Sequence, residues 1–240
     1  MQHPPSVYDL LAAQVPVAVQ SLVLALAIVL LLSYYVRRDI ARSDDIIPDG
    51  RVTLRNFVEL LLEGIANLGR DVMGEQWMKY MPLVGTLGAF ILISNLMGLI
   101  PGIGGATSFV ETAFSWALIS FGIYNYVGIR AHGWKYIYQF MGPSLWEPEI
   151  GGKVWHVRVL SPLFLPLELL LHVARVVTLT VRLVANMYAD HTVVGVWITL
   201  VPIAVPAVFM ALGTLVAFLQ AFVFSLLTMI YIGSALEEAH

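Results

Sequence analysis

Residues 179–191, LTVRLVANMYADH, place strongly polar side chains inside a long apolar stretch. Arg182 and Asn186 are four residues apart, and Asp190 and His191 follow one turn later. A charge at the centre of a bilayer costs at least about 2.5–3.5 kcal/mol, so such groups normally face a partner, water or a transport path. Arginine stays charged and cannot itself relay protons, but it can keep a nearby carboxylate ionised or block leaking cations.

The polar pattern continues towards the N-terminus of the same predicted helix. At 100° per residue, six polar side chains fall within about 80° of one another over about six turns. They are Glu168, His172, Arg175, Arg182, Asn186 and Asp190. Titratable groups therefore lie on both sides of the permanently charged Arg182, and His191 points to another side. This arrangement favours a proton path with two entrances and a central electrostatic barrier over the solvated face of an amphipathic helix.

The composition indicates an integral membrane protein. The 240 residues are 59% hydrophobic and 12% charged, whereas an ordinary soluble domain is about 25% charged. The chain has no cysteine, which excludes disulfide and thiolate chemistry, and its net charge of −3 indicates no nucleic-acid partner. Because no Lys or Arg precedes the first apolar stretch, we do not expect a cleavable signal peptide.

Apolar stretches of about 20 residues predict membrane-spanning helices. We expect one all-α membrane domain with about five spanning helices and one amphipathic surface helix. Its parts are an N-terminal tail with the first span (1–38), a cytoplasmic amphipathic segment (39–80), a two-helix hairpin (81–130), a cytoplasmic loop (131–160) and a long helical hairpin (161–240). The helices predicted at 162–200 and 203–236 would be about 50–60 Å long, twice the hydrocarbon thickness, so they must tilt strongly, bend or extend beyond the membrane.

The positive charges predict the orientation. Of the 13 Lys and Arg, seven lie within residues 37–79 and four within residues 130–158, which places both segments in the cytoplasm. Five spans then put the N-terminus outside and the C-terminal tail in the cytoplasm. The remaining two, Arg175 and Arg182, lie in the long helix. Because the last helix has no acid before Glu237, we expect the carboxylate partner of Arg182 on another subunit.

Three motifs resemble subunit a of the membrane sector of F-type ATP synthases. LTVRLVANMYADH is similar to the arginine motif of that family. SNLMGLIPG at residues 94–102 and FLQAFVFSLLTMIYIGSALEEAH at the C-terminus are similar to two further segments. The motifs occur in the order that the family has and span nearly the whole chain, so the sequence is identified as a member of it.

The resemblance implies an ion-translocating stator subunit of the bacterial inner membrane that is not itself an enzyme. The long hairpin would lie against a rotating c-ring, whose subunits each carry an ion-binding carboxylate; the b subunits of the peripheral stalk, lipid and, indirectly, the F1 sector would be further partners. Arg182 matches the essential arginine between two half-channels. Asn186, His191 and Gln220 match outer half-channel residues, and Glu168 matches the acidic position near the cytoplasmic one. No cofactor or metal is implied, and the c-ring decides between H⁺ and Na⁺.

The chain departs from the family pattern at Val184-Ala185, where the family has a Phe-Gly pair, and at two further positions that bear on the ion path. Asp190 replaces the glycine that usually precedes His191, and Gly213 replaces a histidine that some members carry seven residues before Gln220. We interpret this as an exchange across the hairpin, in which Asp190 supplies a titratable group and Gly213 makes room for it. The alternative is that Asp190 bonds a neighbouring backbone or hydroxyl group.

Three more candidates remain: His172 and Arg175 have no family assignment, and Asn95 lies in the SNLMGLIPG segment. His172 can carry protons, Arg175 binds lipid headgroups or Glu168 or lines a channel, and Asn95 joins two helices or lines a channel.

The rival functions are a secondary transporter, a metalloenzyme built on Glu168, His172 and His191, and a purely structural subunit. A transporter predicts broken helices or an inverted repeat, which the sequence lacks. A metalloenzyme is disfavoured because the third of its candidate ligands does not share a helix face with the other two. A purely structural subunit is disfavoured because it would give the arginine inside the membrane no function.

Overall fold

The computed structural model describes residues 15–42, 53–100, 102–133, 149–150, 153–154, 161–201 and 204–236. The α-helices of these segments are α1 (Val17–Arg42), α2 (Leu54–Met73), α3 (Trp77–Gly98), α4 (Val110–His132), α5 (Ser161–Leu200) and α6 (Ala204–Leu236). Short 3₁₀ turns at Gly74–Gln76 and Ala106–Ser108 precede α3 and α4, and β1 (Glu149–Ile150) pairs antiparallel with β2 (Lys153–Val154). Apart from this two-residue ribbon the fold is helical, which confirms the predicted all-α membrane protein.

Local sequence explains several helix ends. The Thr53 side chain caps α2 by accepting a hydrogen bond from the Asn56 amide at 3.3 Å. Gly74 follows α2 with φ 59° and Gly133 follows α4 with φ 58°, a backbone conformation that glycine adopts without strain. Pro206 lies in the first turn of α6, where its missing amide hydrogen costs nothing. The sequence also has Pro202 between the two long helices, and this residue lies outside the described segments.

The first helix is longer than the apolar stretch that predicts it. The stretch ends at residue 36, but α1 continues to Arg42, because arginine supports a helix although it ends a hydrophobic segment. The amphipathic segment is therefore the last turn of α1, an undescribed connection, and α2. Helix α2 packs against α3 and α6 and buries Gly69 and Met73, so this amphipathic helix is docked on its own chain.

Three of the helical stretches in the described segments are long and apolar enough to cross a membrane. They are Val17–Ala41, the continuous stretch Leu54–Gly98 that joins α2 to α3, and Ala204–Leu236. The other predicted spans are α4 and α5, at 23 and 40 residues. At 40 and 33 residues, α5 and α6 are about 60 Å and 50 Å long, close to the predicted lengths.

Helix α6 lies at the centre of the packing, in contact with α2, α3, α4 and α5. Helix α5 lies at the edge, where α4, α6 and the 3₁₀ turn at Ala106–Ser108 cover one side of it. Leu183 on the covered side is fully buried beside Phe224 in the main core. Val181 and Tyr188 on the opposite side are exposed. The helix that carries the polar residues therefore has one side packed and one side free of contacts within the described chain.

Candidate functional site

The two long helices form an antiparallel hairpin whose contacts run along most of its length. From the connection outward, the contacts are Trp197 with Phe209, Asn186 with Gln220, and Arg175 with Tyr231. The polar residues of α5 thus lie in or beside the seam with α6. This pairing is the frame that positions the candidate ion-path residues.

Arg182 is exposed on the uncovered side of α5. Its neighbours on that side include Val181 and Tyr188, which are themselves more than half exposed. No ion pair or hydrogen bond joins Arg182 to any residue in the described part of the chain. The guanidinium group therefore carries its charge on an apolar surface, where its neutralisation requires a partner from outside these segments.

One turn further along α5, Asn186 turns into the seam. Its amide nitrogen donates to the Gln220 side-chain oxygen at 3.0 Å. The Gln220 side-chain nitrogen is buried and has no hydrogen-bond partner among the described residues. Buried amide groups normally make hydrogen bonds through their N–H groups. The Gln220 side-chain nitrogen is therefore available to donate a hydrogen bond to water or to another polar group.

Asp190 and Gly213 meet across the seam. A Cβ atom added at Gly213 would lie 3.4 Å from Asp190 Oδ2 and 3.5 Å from its Cγ, and it would clash with a Leu99 methyl group at 2.5 Å. The space that a side chain at Gly213 would take is therefore already occupied. Neither an ion pair nor a hydrogen bond of Asp190 is present within the described segments.

His191 is exposed and points away from the seam, as the helical spacing predicts. Its Nε2 atom lies 3.4 Å from the hydroxyl group of Ser108, in the 3₁₀ turn before α4. Sequence reasoning did not select Ser108, because this residue lies 83 positions before His191 in a Gly-rich turn without a recognisable motif.

At the other end of the stripe, Glu168 and His172 form an i, i+4 pair. His172 Nδ1 lies 2.9 Å from the Glu168 backbone oxygen and 3.4 Å from its carboxylate. A carbonyl oxygen can only accept a hydrogen bond, so Nδ1 carries the proton. His172 is 7% exposed and packs against the Tyr124 ring at 5.8 Å. The pair therefore combines a partly exposed acid with a buried imidazole.

Arg175 lies over aromatic rings and not beside a carboxylate. Its guanidinium carbon is 4.7 Å from the Tyr231 ring centroid and 6.0 Å from that of Tyr124. Both distances fit cation–π contacts. The Tyr124 hydroxyl group is buried without a hydrogen-bond partner among the described residues. Tyr124 belongs to α4, and helical periodicity within α5 could not have indicated it.

Asn95 lies away from the hairpin seam. Its side-chain oxygen accepts a hydrogen bond from the Thr107 hydroxyl group at 2.6 Å, and Ser94 lies 3.1 Å from the same hydroxyl group. The structure thus brings Asn186, Asp190 and Gln220 together in the seam. Arg182 and His191 lie outside the seam, and Asn95 belongs to a separate polar cluster. In the described segments, no group of three or more His, Cys, Asp and Glu side chains could hold a metal ion.

This fold defines a class: a polytopic membrane protein whose longest helices form a hairpin lined with ionisable side chains. Residues 19–233 match the family model described as ATP synthase A chain. The chain is 44% identical to ATP synthase subunit a 2 of Syntrophotalea carbinolica over 195 residues, which cover 81% of this chain and 76% of that protein. It is 42% identical to ATP synthase subunit a 3 of Pelobacter propionicus over 217 residues, 90% of this chain and 86% of that protein.

The chain belongs to the ATP synthase A chain family, whose members form the ion-translocating stator of the Fo membrane sector. The resemblance inferred from the three sequence motifs is therefore confirmed. A third relative, ATP synthase subunit a of Geobacter sulfurreducens, is 41% identical over 194 residues, 81% of this chain and 78% of that protein.

Proposed function

We propose that this chain couples the flow of H⁺ or Na⁺ to rotation of a c-ring, and that Arg182 faces the carboxylate of each passing c subunit. The observation that carries the proposal is the exposure of Arg182 on an apolar surface with no partner in the described chain. A fixed guanidinium group would keep the facing carboxylate ionised until an ion is delivered. It would also repel cations that could otherwise pass from one side to the other without turning the ring.

Two groups of side chains then serve as half-channels on either side of Arg182. On the outer side we assign Asn186, Asp190 and Gln220 in the seam, together with His191, which lies beside Ser108 on the side of α5 away from the seam. On the cytoplasmic side we assign Glu168, with His172 as the buried group that exchanges protons with it. Glu168 and Arg182 are fourteen residues apart, about 21 Å along α5. The cytoplasmic half-channel therefore reaches α5 at a different depth in the membrane from the outer half-channel.

The other assignments follow from the family and the charge distribution. The chain would form no bond to ATP and would act through the c-ring, with b subunits and lipid as direct neighbours and the F1 sector as an indirect one. The basic segments at residues 37–79 and 130–158 favour a cytoplasmic location, so the N-terminus would lie outside a bacterial inner membrane and the C-terminus in the cytoplasm.

The test is Arg182→Ala in the assembled ATP synthase in membrane vesicles. ATP-driven ion pumping should fall by at least about 100-fold, because a preorganised charge is lost from the path. Passive ion leakage through the complex should rise, because the electrostatic barrier is lost as well. Arg130→Ala is a matched control, since this exposed residue at the end of α4 donates only to the Tyr126 hydroxyl group at 3.4 Å among the described residues. It should change neither quantity by more than about twofold. Wild-type pumping and leakage in Arg182→Ala would end the proposal.

We further propose that Asp190 is the titratable group of the outer half-channel, with Gly213 providing its space. Asp190→Asn keeps the shape of the side chain but removes its ability to ionise, so ATP-driven pumping should fall about tenfold or more. The double variant Asp190→Gly/Gly213→His moves the titratable group to the other helix and should recover part of the lost pumping, provided that Leu99 moves aside. Wild-type pumping by Asp190→Asn would instead favour a structural role for this carboxylate.

A further inference from the structure

The SNLMGLIPG segment begins with two residues of a buried, hydrogen-bonded polar cluster. Ser94 accepts a hydrogen bond from the Thr107 amide at 2.9 Å, and the Thr107 hydroxyl group donates to Asn95 at 2.6 Å. Ser94 and Thr107 are completely buried, and Asn95 is 3% exposed. These bonds tie the last turns of α3 to the 3₁₀ turn before α4, so this part of the chain is held rigidly.

Two glycines bring the same segments into backbone contact. A Cβ atom at Gly105 would lie 2.5 Å from the Ser94 carbonyl oxygen and 3.1 Å from the Gly98 Cα atom. Neither of these atoms can move without moving the backbone. Gly98 and Gly105 therefore leave a shallow depression that any larger residue would fill.

The side chain of Met187, on α5, fills that depression. A Cβ atom at Gly98 would overlap the Met187 methyl group, and one at Gly105 would lie 3.0 Å from it. Met187 is 3% exposed, and Leu183, one turn earlier on the same side of α5, is fully buried. Met187 directly follows Asn186, which bonds Gln220, and lies five residues after Arg182.

We propose that Gly98 and Gly105 form a glycine socket for Met187, and that this socket sets the rotation of α5 about its axis. With Met187 seated, Asn186 reaches α6 and Arg182 stays on the uncovered side of the helix. Successive helical residues are 100° apart, so even a partial rotation of α5 would move both side chains out of line. The three residues are positioning residues, and their functional effect rests on the proposed role of Arg182.

The inference is tested by a steric exchange in the assembled ATP synthase. Gly98→Ala should lower ATP-driven pumping about tenfold or more, because displacements of about 1 Å can have effects of that size. The double variant Gly98→Ala/Met187→Ala removes the overlapping methyl group and should recover most of the pumping. If Gly98→Ala does not assemble, recovery of assembly in the double variant supports the socket equally well. A double variant no better than Gly98→Ala overturns it.

Gly105→Ala is the matched control. Its added methyl group meets the Ser94 carbonyl oxygen and the Gly98 Cα atom as well as Met187, so truncation of Met187 cannot relieve it. Gly105→Ala should therefore impair pumping or assembly whether or not Met187→Ala is present. Rescue of both glycine variants by Met187→Ala would contradict this geometry.

A second measurement does not depend on the proposed function. The chain has no cysteine, so Ser108→Cys/His191→Cys creates one thiol pair at positions whose side chains are 3.4 Å apart. Cross-linking of this pair by a short bifunctional reagent should fall about fivefold or more with Gly98→Ala, because overpacking displaces α5, and return with Met187→Ala. Unchanged cross-linking in Gly98→Ala would refute the socket. If cross-linking responds as expected but pumping does not change, the socket exists and its positioning role is wrong. If Arg182→Ala pumps normally, the proposed function fails. The cross-linking result still shows in that case whether Met187 sits in the glycine socket.

Discussion

Arg175 and Arg182 lie seven residues apart on α5, but their surroundings differ. Arg175 is half-buried over the Tyr231 ring and near Tyr124, so its charge is stabilised within the chain. Arg182 is exposed and has no polar partner in the described segments. A cation that the chain stabilises itself contributes to folding, whereas a cation left on an apolar surface contributes to binding a partner. We therefore propose a mainly structural role for Arg175 and a role in ion translocation for Arg182.

The largest expected contrast is between Arg182→Ala and Arg175→Gln in the assembled complex. Arg182→Ala should abolish pumping without lowering the amount of assembled subunit, because no described contact is lost. Arg175→Gln should retain more than about a tenth of the pumping but lower thermal stability, because a partly desolvated cation–π contact is worth about 0.5–2 kcal/mol. Pumping and the thermal midpoint of the detergent-purified complex measure the two effects. Loss of pumping in both variants at full stability would make Arg175 a second member of the ion path.

A smaller effect is expected from the ring beneath Arg175. Tyr231→Leu removes the aromatic face and should destabilise the complex by about 1 kcal/mol, seen as a lower thermal midpoint. Tyr231→Phe keeps the ring and serves as the control, with a midpoint close to that of the unaltered protein. Combining Tyr231→Leu with Arg175→Gln should add little to either variant alone, because both remove the same contact. Full additivity would show that the ring and the guanidinium group act independently.

The sequence predicts the long helices well, since residues 162–200 and 203–236 contain few breaking residues and nearly coincide with α5 and α6. Helical periodicity places Asn186 and Asp190 on one side of α5, the side that packs in the seam. It groups Arg182 with them, but the packing of α4 and α6 leaves Arg182 exposed outside the seam. The end of α1 is not predicted, because hydrophobicity marks where a membrane segment stops, and the helix continues for six residues beyond it.

Contacts between distant helices are the part that periodicity cannot supply. Tyr124 lies 51 positions before Arg175, and Gly98 lies 89 positions before Met187; both contacts depend on how α3, α4 and α5 pack. Motif resemblance marked SNLMGLIPG as informative without giving a reason for Gly98. The packing of Met187 between Gly98 and Gly105 supplies one.

We propose that Arg182 has no partner among the described residues of its own chain because a c-subunit carboxylate provides one. The most direct measurement is the distance from the Arg182 guanidinium group to the nearest carboxylate in an experimental structure of the assembled membrane sector. The account predicts that this carboxylate belongs to a c subunit and approaches within about 4–6 Å in at least one rotational state, the range over which an opposite charge stabilises an ionised acid. A guanidinium group paired with an acid of its own chain, or facing lipid in every rotational state, would contradict the account.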